Sequence, residues 1–293
     1  MYPYDHQLLL NPQLVSETQL RFDLDNDPTR WPWRALPTWH PAQAGKLSFF
    51  TGFKCGEALF EMPTGVATAV TLVSWQNHAS CLQGNPATSG KVSSGQAEHR
   101  FHYDSELYDA AGDLQQTILA QGVAFQQRDY GGWRRRMKQA IQAIDSMRPR
   151  DFGFAEPLSA GVTTKAECFV SPLHENKNGL ACYALLDERS GFVPTHPWHG
   201  GTGDHVNATH QLDAAWQAAH LIGRAQGWLA SGTTLICSAG EARFKNYVEL
   251  SSPFEIRLKS WRPMDNGQRL SFTLSQGAKP CAEIKLQLLV VTA

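Results

Sequence analysis

The residues best suited to chemistry in this sequence lie in Leu212-Asp-Ala-Ala-Trp-Gln217, where one carboxylate interrupts an apolar segment. Asp213 and Gln217 are four apart, which puts them on one face of a helix. Just upstream, His199-Gly-Gly-Thr-Gly-Asp-His-Val206 concentrates glycine and imidazole. An acid beside histidines can exchange protons with a substrate, so Asp213, Gln217 and His199 form a candidate acid/base set. Trp216, His205 and Gly203 stand close to them in sequence and are candidate substrate contacts. A carboxylate near a helix start also serves as a cap, and this segment alone leaves both roles open.

Leu212, Ala215, Trp216, Ala219 and Ile222 recur at helical spacing, so the sequence predicts a helix over Gln211 to Ala230. After it the period changes to two. Thr234 to Phe244 reads as a strand. Phe254, Ile256 and Leu258 alternate with Glu255, Arg257 and Lys259. Leu270, Phe272 and Leu274 repeat the pattern, and Ala282, Ile284, Leu286 and Leu288 repeat it again. Asp265-Asn-Gly267 and Gln276-Gly-Ala-Lys-Pro280 supply the turns. Glu167 to Val170 and Leu180 to Leu186 add two strands before the helix. An antiparallel sheet with one apolar face must bury it, and the helix is the filling. The fold class is α+β, with a curved sheet wrapped on one long helix.

The N-terminal half reads as a worn copy of this pattern. Gln19 to Leu24 alternates, as does much of Gly56 to Val73, and Tyr108 to Asp113 is a hairpin turn before a strand over Gln116 to Phe125. Gln83 to Glu98 reads as a Gly/Ser-rich loop. No central helix stands out. Pro63 to Trp75 is the best candidate, yet its Val and Thr content favours a strand. The organisation is therefore 1–130, a basic helical linker over 131–150, and 151–293. The linker carries Arg134, Arg135, Arg136 and Lys138. Such a cluster serves either as a docking patch for an acidic carrier domain or as a solvated helix face.

The chain has 293 residues, 42% hydrophobic and 18% charged, with a formal net charge of −1. That balance fits a globular protein with a large core and gives no global pull toward nucleic acid. No apolar run approaches a membrane span of roughly 18 residues. Met1-Tyr-Pro-Tyr-Asp-His is too polar to open a secretory signal, so a cytoplasmic location is expected. The six cysteines form no C-x-x-C pair and read as reduced and mostly buried. His196, His199, His205 and His210 lack any metal-binding spacing, so no metal is expected.

With helix and meander in place, the C-terminal half resembles the β-hydroxyacyl thioester dehydratases. These include the bacterial hydroxydecanoyl-carrier-protein dehydratase and the dehydratase domains of polyketide synthases. Leu212-Asp-Ala-Ala-Trp-Gln217, the helix running on to Gly227-Trp-Leu, and the following Gly240-Glu-Ala-Arg-Phe244 carry the resemblance, over Gly191 to Val291. It implies a double hot dog. It also implies cofactor-free elimination of water from a 3-hydroxyacyl thioester held by a carrier protein or coenzyme A. A histidine would remove the α-proton, and Asp213 would protonate the leaving hydroxyl. By the family's spacing the histidine is His199. In that fold, however, the two residues of one site come from different hot dogs, which points to His40. That histidine lies in Leu36-Pro-Thr-Trp-His40, followed by Gly45, a pattern one residue off the polyketide dehydratase's His-x-x-x-Gly and without its downstream proline. Alternatively two chains pair, as a homodimer. Val206-Asn-Ala-Thr209 replaces the family's Pro-Gly, and Asp204-His205-Val206 resembles instead the butenolide synthases that condense a β-ketoacyl group. Enoyl isomerisation, thioester hydrolysis and a non-catalytic acyl-binding scaffold complete the alternatives.

Overall fold

The computed structural model describes residues 8–54, 68–97, 100–124, 130–144, 151–186 and 205–292. The chain divides into two compact units. The first holds Met1–Tyr130 with Ser238–Glu241, and the second holds Gly131–Cys237 with Ala242–Ala293.

The first unit opens with the hairpin β1 (Leu9–Ser16) and β2 (Gln19–Leu24). Leu20, Phe22 and Leu24 face inward, as their alternation predicts. The helix α1 (Pro41–Ser48) follows and widens into a π-helical turn over Phe49–Lys54. Then come β3 (Thr68–Asn77), the short α2 (Ala79–Leu82), β4 (Ser89–Ala97), β5 (Arg100–Tyr108) and β6 (Leu114–Ala124). The sheet order is β1-β2-β4-β5-β6-β3, antiparallel throughout.

One expectation is corrected here and one is borne out. Gln83 to Glu98 is not a loop, because β4 fills most of it. Gly90, Val92 and Ser94 alternate inward between β2 and β5, and a side chain at Gly90 would collide with Phe22 and Leu107, each 2.7 Å from its Cβ position. Small residues mark close strand packing here. In Pro63 to Trp75 the strand that the Val and Thr content favours is what forms. Its described part is β3, and the helix is α1, started by an N-cap at His40 and a proline in the first turn.

In the second unit α3 (Tyr130–Ile144) precedes a 3₁₀ turn at Pro157–Ala160. The hairpin β7 (His174–Asn176) and β8 (Gly179–Ala184) comes next, then β9 (His205–Val206) and α4 (Ala208–Ala225). β10 (Thr233–Phe244), β11 (Val248–Glu249), β12 (Phe254–Met264), β13 (Gly267–Gln276) and β14 (Lys279–Thr292) complete it. The meander over β12, β13 and β14 stands where the alternation predicts it. Glu167 to Val170 is a correction: it forms no strand beyond a single bridge from Val170 to Ala184. The main sheet order is β10-β14-β13-β12-β8-β7.

The two orders are the same. In each unit a hairpin leads to a helix, the helix to a strand, and that strand to a three-strand meander whose last member it flanks. The internal copy marks the architecture as an α+β double hot dog. Among the described residues, no helix is long and apolar enough to cross a membrane.

Candidate active site

α4 is buried on every side from Thr209 to Gly223, and Leu212, Ala214, Ala215, Ala218 and Ala219 are fully enclosed. Asn207 caps it, its Oδ1 accepting from the His210 backbone N–H at 3.2 Å. Asp213 is the sixth residue of the helix and is 5% exposed. It is therefore no cap: its carboxyl lies in the second turn, inside the core. The helix stops at Ala225, short of the expected Ala230. Gly227 takes a left-handed φ of 74° there, and the Trp228 and Leu229 N–H groups turn back to the Gly223 carbonyl.

Gln217 sits one turn on and is fully buried. Its Nε2 donates to Asp213 Oδ1 at 3.2 Å and to the Glu167 carbonyl at 2.9 Å. Its Oε1 accepts from the Phe169 N–H at 3.2 Å. Both amide hydrogens are committed, so Gln217 fixes the carboxyl and ties the segment Glu167–Phe169 to the helix.

Cys168 lies in that segment, 1% exposed. Burial raises its thiol above the ordinary range and the Asp213 charge adds to the rise. It stays a thiol at neutral pH, not a thiolate nucleophile.

His220 continues the stripe of Asp213 and Gln217 at spacings of four and three. It is fully buried, and burial pushes its pKa down to about 4. Its Nδ1 lies 3.1 Å from the Trp216 carbonyl, which can only accept, so Nδ1 carries the hydrogen and Nε2 is bare. Trp216 packs edge-on at 4.1 Å between ring centroids, and Gly161, at φ 78°, leaves room for the ring. Sequence reasoning missed His220, although the 213/217/220 spacing was there to find it.

The other candidates lie elsewhere. His205 is on β9, which pairs with β11, and its ring meets Tyr247 at 4.5 Å. Arg134 stacks on the same Tyr247 at 4.4 Å. It also forms a bidentate pair with Glu249, at 2.6 and 2.9 Å, where both residues are buried. That corrects its expected role: Arg134 holds α3 to β11 and is not presented to a partner. Arg135, Arg136 and Lys138 are exposed. His199 and Gly203 lie outside the described residues.

His40 belongs to the first unit and is buried. Its Nδ1 accepts from the Ala42 N–H at 3.2 Å, so in the neutral ring the hydrogen sits on Nε2. Among the described residues no cluster of His, Cys, Asp and Glu has the makings of a metal site. The five described cysteines are buried.

No protein-family model and no curated protein matches the sequence. Solved structures do match, along almost the whole chain. The dehydratase domain of RzxB from Pseudomonas fluorescens aligns at 13% identity with a TM-score of 0.52, covering 98% of this chain and 98% of that one. The dehydratase domain from the CurJ module of curacin polyketide synthase aligns at 10% identity and 0.52, covering 98% of each. The acyl-CoA thioesterase II TesB2 from Mycobacterium marinum aligns at 9% and 0.50, covering 97% of this chain and 96% of that one. At such identities the shared property is the fold. It is the double hot dog that the resemblance of α4 and its meander implied, and dehydratase domains and thioesterases both have it.

Proposed function

We propose that this chain is a hydro-lyase acting on a 3-hydroxyacyl thioester, with Asp213 as the general acid. One observation carries the reading: the carboxyl of Asp213 is buried in the second turn of a capped helix, held by Gln217. A carboxylate that caps nothing and sits in an enclosed core costs stability, which fits a site kept for chemistry. Protonated, it delivers a proton to the departing hydroxyl while a base removes the α-proton.

Two histidines are candidates for that base, His40 and His199. His40 has a definite requirement. To accept a proton at Nε2 its ring must move its hydrogen to Nδ1 and release the Ala42 N–H. The substrate is carried by coenzyme A or by an acidic carrier protein, which would meet Arg135, Arg136 and Lys138 on α3. Thioester hydrolysis is the second reading. The Asp213–Gln217 pair is equally able to orient water, and thioesterases share the fold.

Incubation with 3-hydroxyacyl, enoyl and saturated acyl thioesters, followed by mass spectrometry, tests the proposal. Loss of water from the first substrate, reversed on the second, is the expected result. Release of free acid from all three would replace it with hydrolysis. Asp213→Asn should fold normally and lose on the order of 100-fold in rate. Full activity in that variant would remove the reading. His40→Ala and His199→Ala separate the two bases, because only the true one abolishes turnover.

A further inference from the structure

The meander of the second unit turns its apolar side chains, among them Leu270, Phe272, Ile284 and Leu286, toward α4. Its other face carries cations. Arg262 and Arg269 stand directly opposite each other on β12 and β13, with Gln287 next in the row on β14. The neighbouring row is Ser260, Ser271 and Lys285. Lys259 adds a further charge at the register shift between Leu258 and Ser260. Lys259, Arg262, Arg269 and Lys285 are all exposed.

Like charges directly opposite on paired strands destabilise a sheet. Arg262 and Arg269 are such a pair, and among the described residues neither has an ion pair or hydrogen bond to offset it. The acids of this face are engaged or set apart. Glu283 is bonded to Lys245 at 2.8 Å. That bond holds its carboxyl below the usual range, and the charges of Lys245, Lys259 and Lys285 add to the effect. Glu255 is paired with Arg257 at 2.5 Å, and Asp265 lies in the turn beyond the arginines. An anion from outside would offset the cost of the arginine pair. The patch also has an apolar end. Trp261 and Met264, 38% and 37% exposed, flank Arg262 and Pro263. Trp261 packs on Trp228 at 6.2 Å and gives its Nε1 hydrogen to Gln268 Oε1 at 2.6 Å, which holds the ring at the surface.

We propose that this face of β12, β13 and β14 docks on an anionic lipid surface. Cations spread over three strands match headgroup phosphates, and each one near a negatively charged bilayer strengthens binding about 5-fold. Tryptophan and methionine beside them suit the boundary between headgroups and acyl chains, where one end of a side chain is apolar and the other wet. A nucleic acid would satisfy the arginines and leave Met264 in water, so a lipid surface fits more of the patch. The face lies on the side of the sheet away from α4, so docking leaves the helix of Asp213 untouched.

The test is sedimentation of the full chain with vesicles of phosphatidylglycerol and phosphatidylcholine in equal parts, and with vesicles of phosphatidylcholine alone. Binding to the first and not to the second, weakening as salt rises, is the expected result. Arg269→Glu puts an acid opposite Arg262, so it should keep the melting temperature while cutting vesicle binding on the order of 10-fold or more. Met264→Ser should weaken binding a few-fold at unchanged net charge. Arg135→Glu with Arg136→Glu, on α3, should change it far less. Equal binding to both kinds of vesicle, no binding at all, or an equal loss in the α3 variant would overturn the proposal. So would binding to a DNA duplex without binding to vesicles, which would give the face to a nucleic acid.

Discussion

Gln217 Nε2 donates at once to the Asp213 carboxyl, at 3.2 Å, and to the Glu167 carbonyl, at 2.9 Å. One buried amide thus sets the position of the candidate acid and fastens the segment that runs beside it. Its Oε1 takes the Phe169 N–H, so all three of its bonds are made inside the protein. If Asp213 is the acid, Gln217 acts as a positioning residue for it.

Gln217→Leu should cost both stability and rate. It takes the Gln217 partner from the buried Phe169 N–H, at about 1–3 kcal/mol, and from the part-buried Glu167 carbonyl, at less. The expected outcome is a clear drop in melting temperature and a lower kcat at nearly constant KM. A variant that keeps kcat would show that Asp213 needs no orientation from Gln217.

The four cations of α3 should divide into two kinds. Arg134→Met leaves Glu249 buried and unpaired, for a loss of roughly 3–5 kcal/mol in chemical denaturation. Adding Glu249→Leu should recover most of it. Arg135→Glu, Arg136→Glu and Lys138→Glu together should leave stability nearly unchanged and slow reaction with a carrier-bound substrate, less so at high salt. Equal slowing on a short synthetic thioester would deny the docking role.

His220 should shape the acid limb of stability. Its pKa is about 4 in the fold against 6.5 for the free side chain. As pH falls the unfolded chain takes up the proton first, so stability is complete above 6.5 and is lost between 6.5 and 4. The full span is worth about 3 kcal/mol for a group this buried. Urea unfolding of His220→Phe, within and above that window, should show a correspondingly smaller pH difference. An unchanged difference would assign the acid limb to other groups.

Ala278 should respond to glycine. It follows Gly277 in the two-residue turn between β13 and β14, and both have positive φ, 56° and 62°. An L-residue there carries a cost on the order of 1 kcal/mol that glycine does not. Ala278→Gly should gain about 0.5–1 kcal/mol, read from the denaturation midpoint. A loss would mean that the added freedom of the unfolded chain outweighs the relief.

The meander was legible in the sequence because each strand buries one face and solvates the other. Ile256, Phe272 and Ile284 stand in register with that pattern, and Asp265-Asn-Gly267 closes its hairpin. α4 was legible for the same reason at the helical period, and the resemblance of its Leu212-Asp-Ala-Ala-Trp-Gln217 named the fold. α1 was not. Ala42, Gln43, Ala44 and Gly45 are buried, yet small or polar, so they give no apolar stripe, and only His40-Pro41 marked the start. β4 was missed because Gly90 and Ser94 look like loop residues until Phe22 and Leu107 are seen to press on that strand.

The sequence by itself determined the strand and helix periods, the pairing of Asp213 with Gln217 across one helical turn, and the likeness of the two halves. Local spacing decides those, since each depends on residues a few positions apart. Only the tertiary structure decided that Asn207, not Asp213, caps α4, and that Arg134 is spent on Glu249 115 residues away. Burial and partnership depend on which distant segments fold against a residue, and no local pattern encodes them.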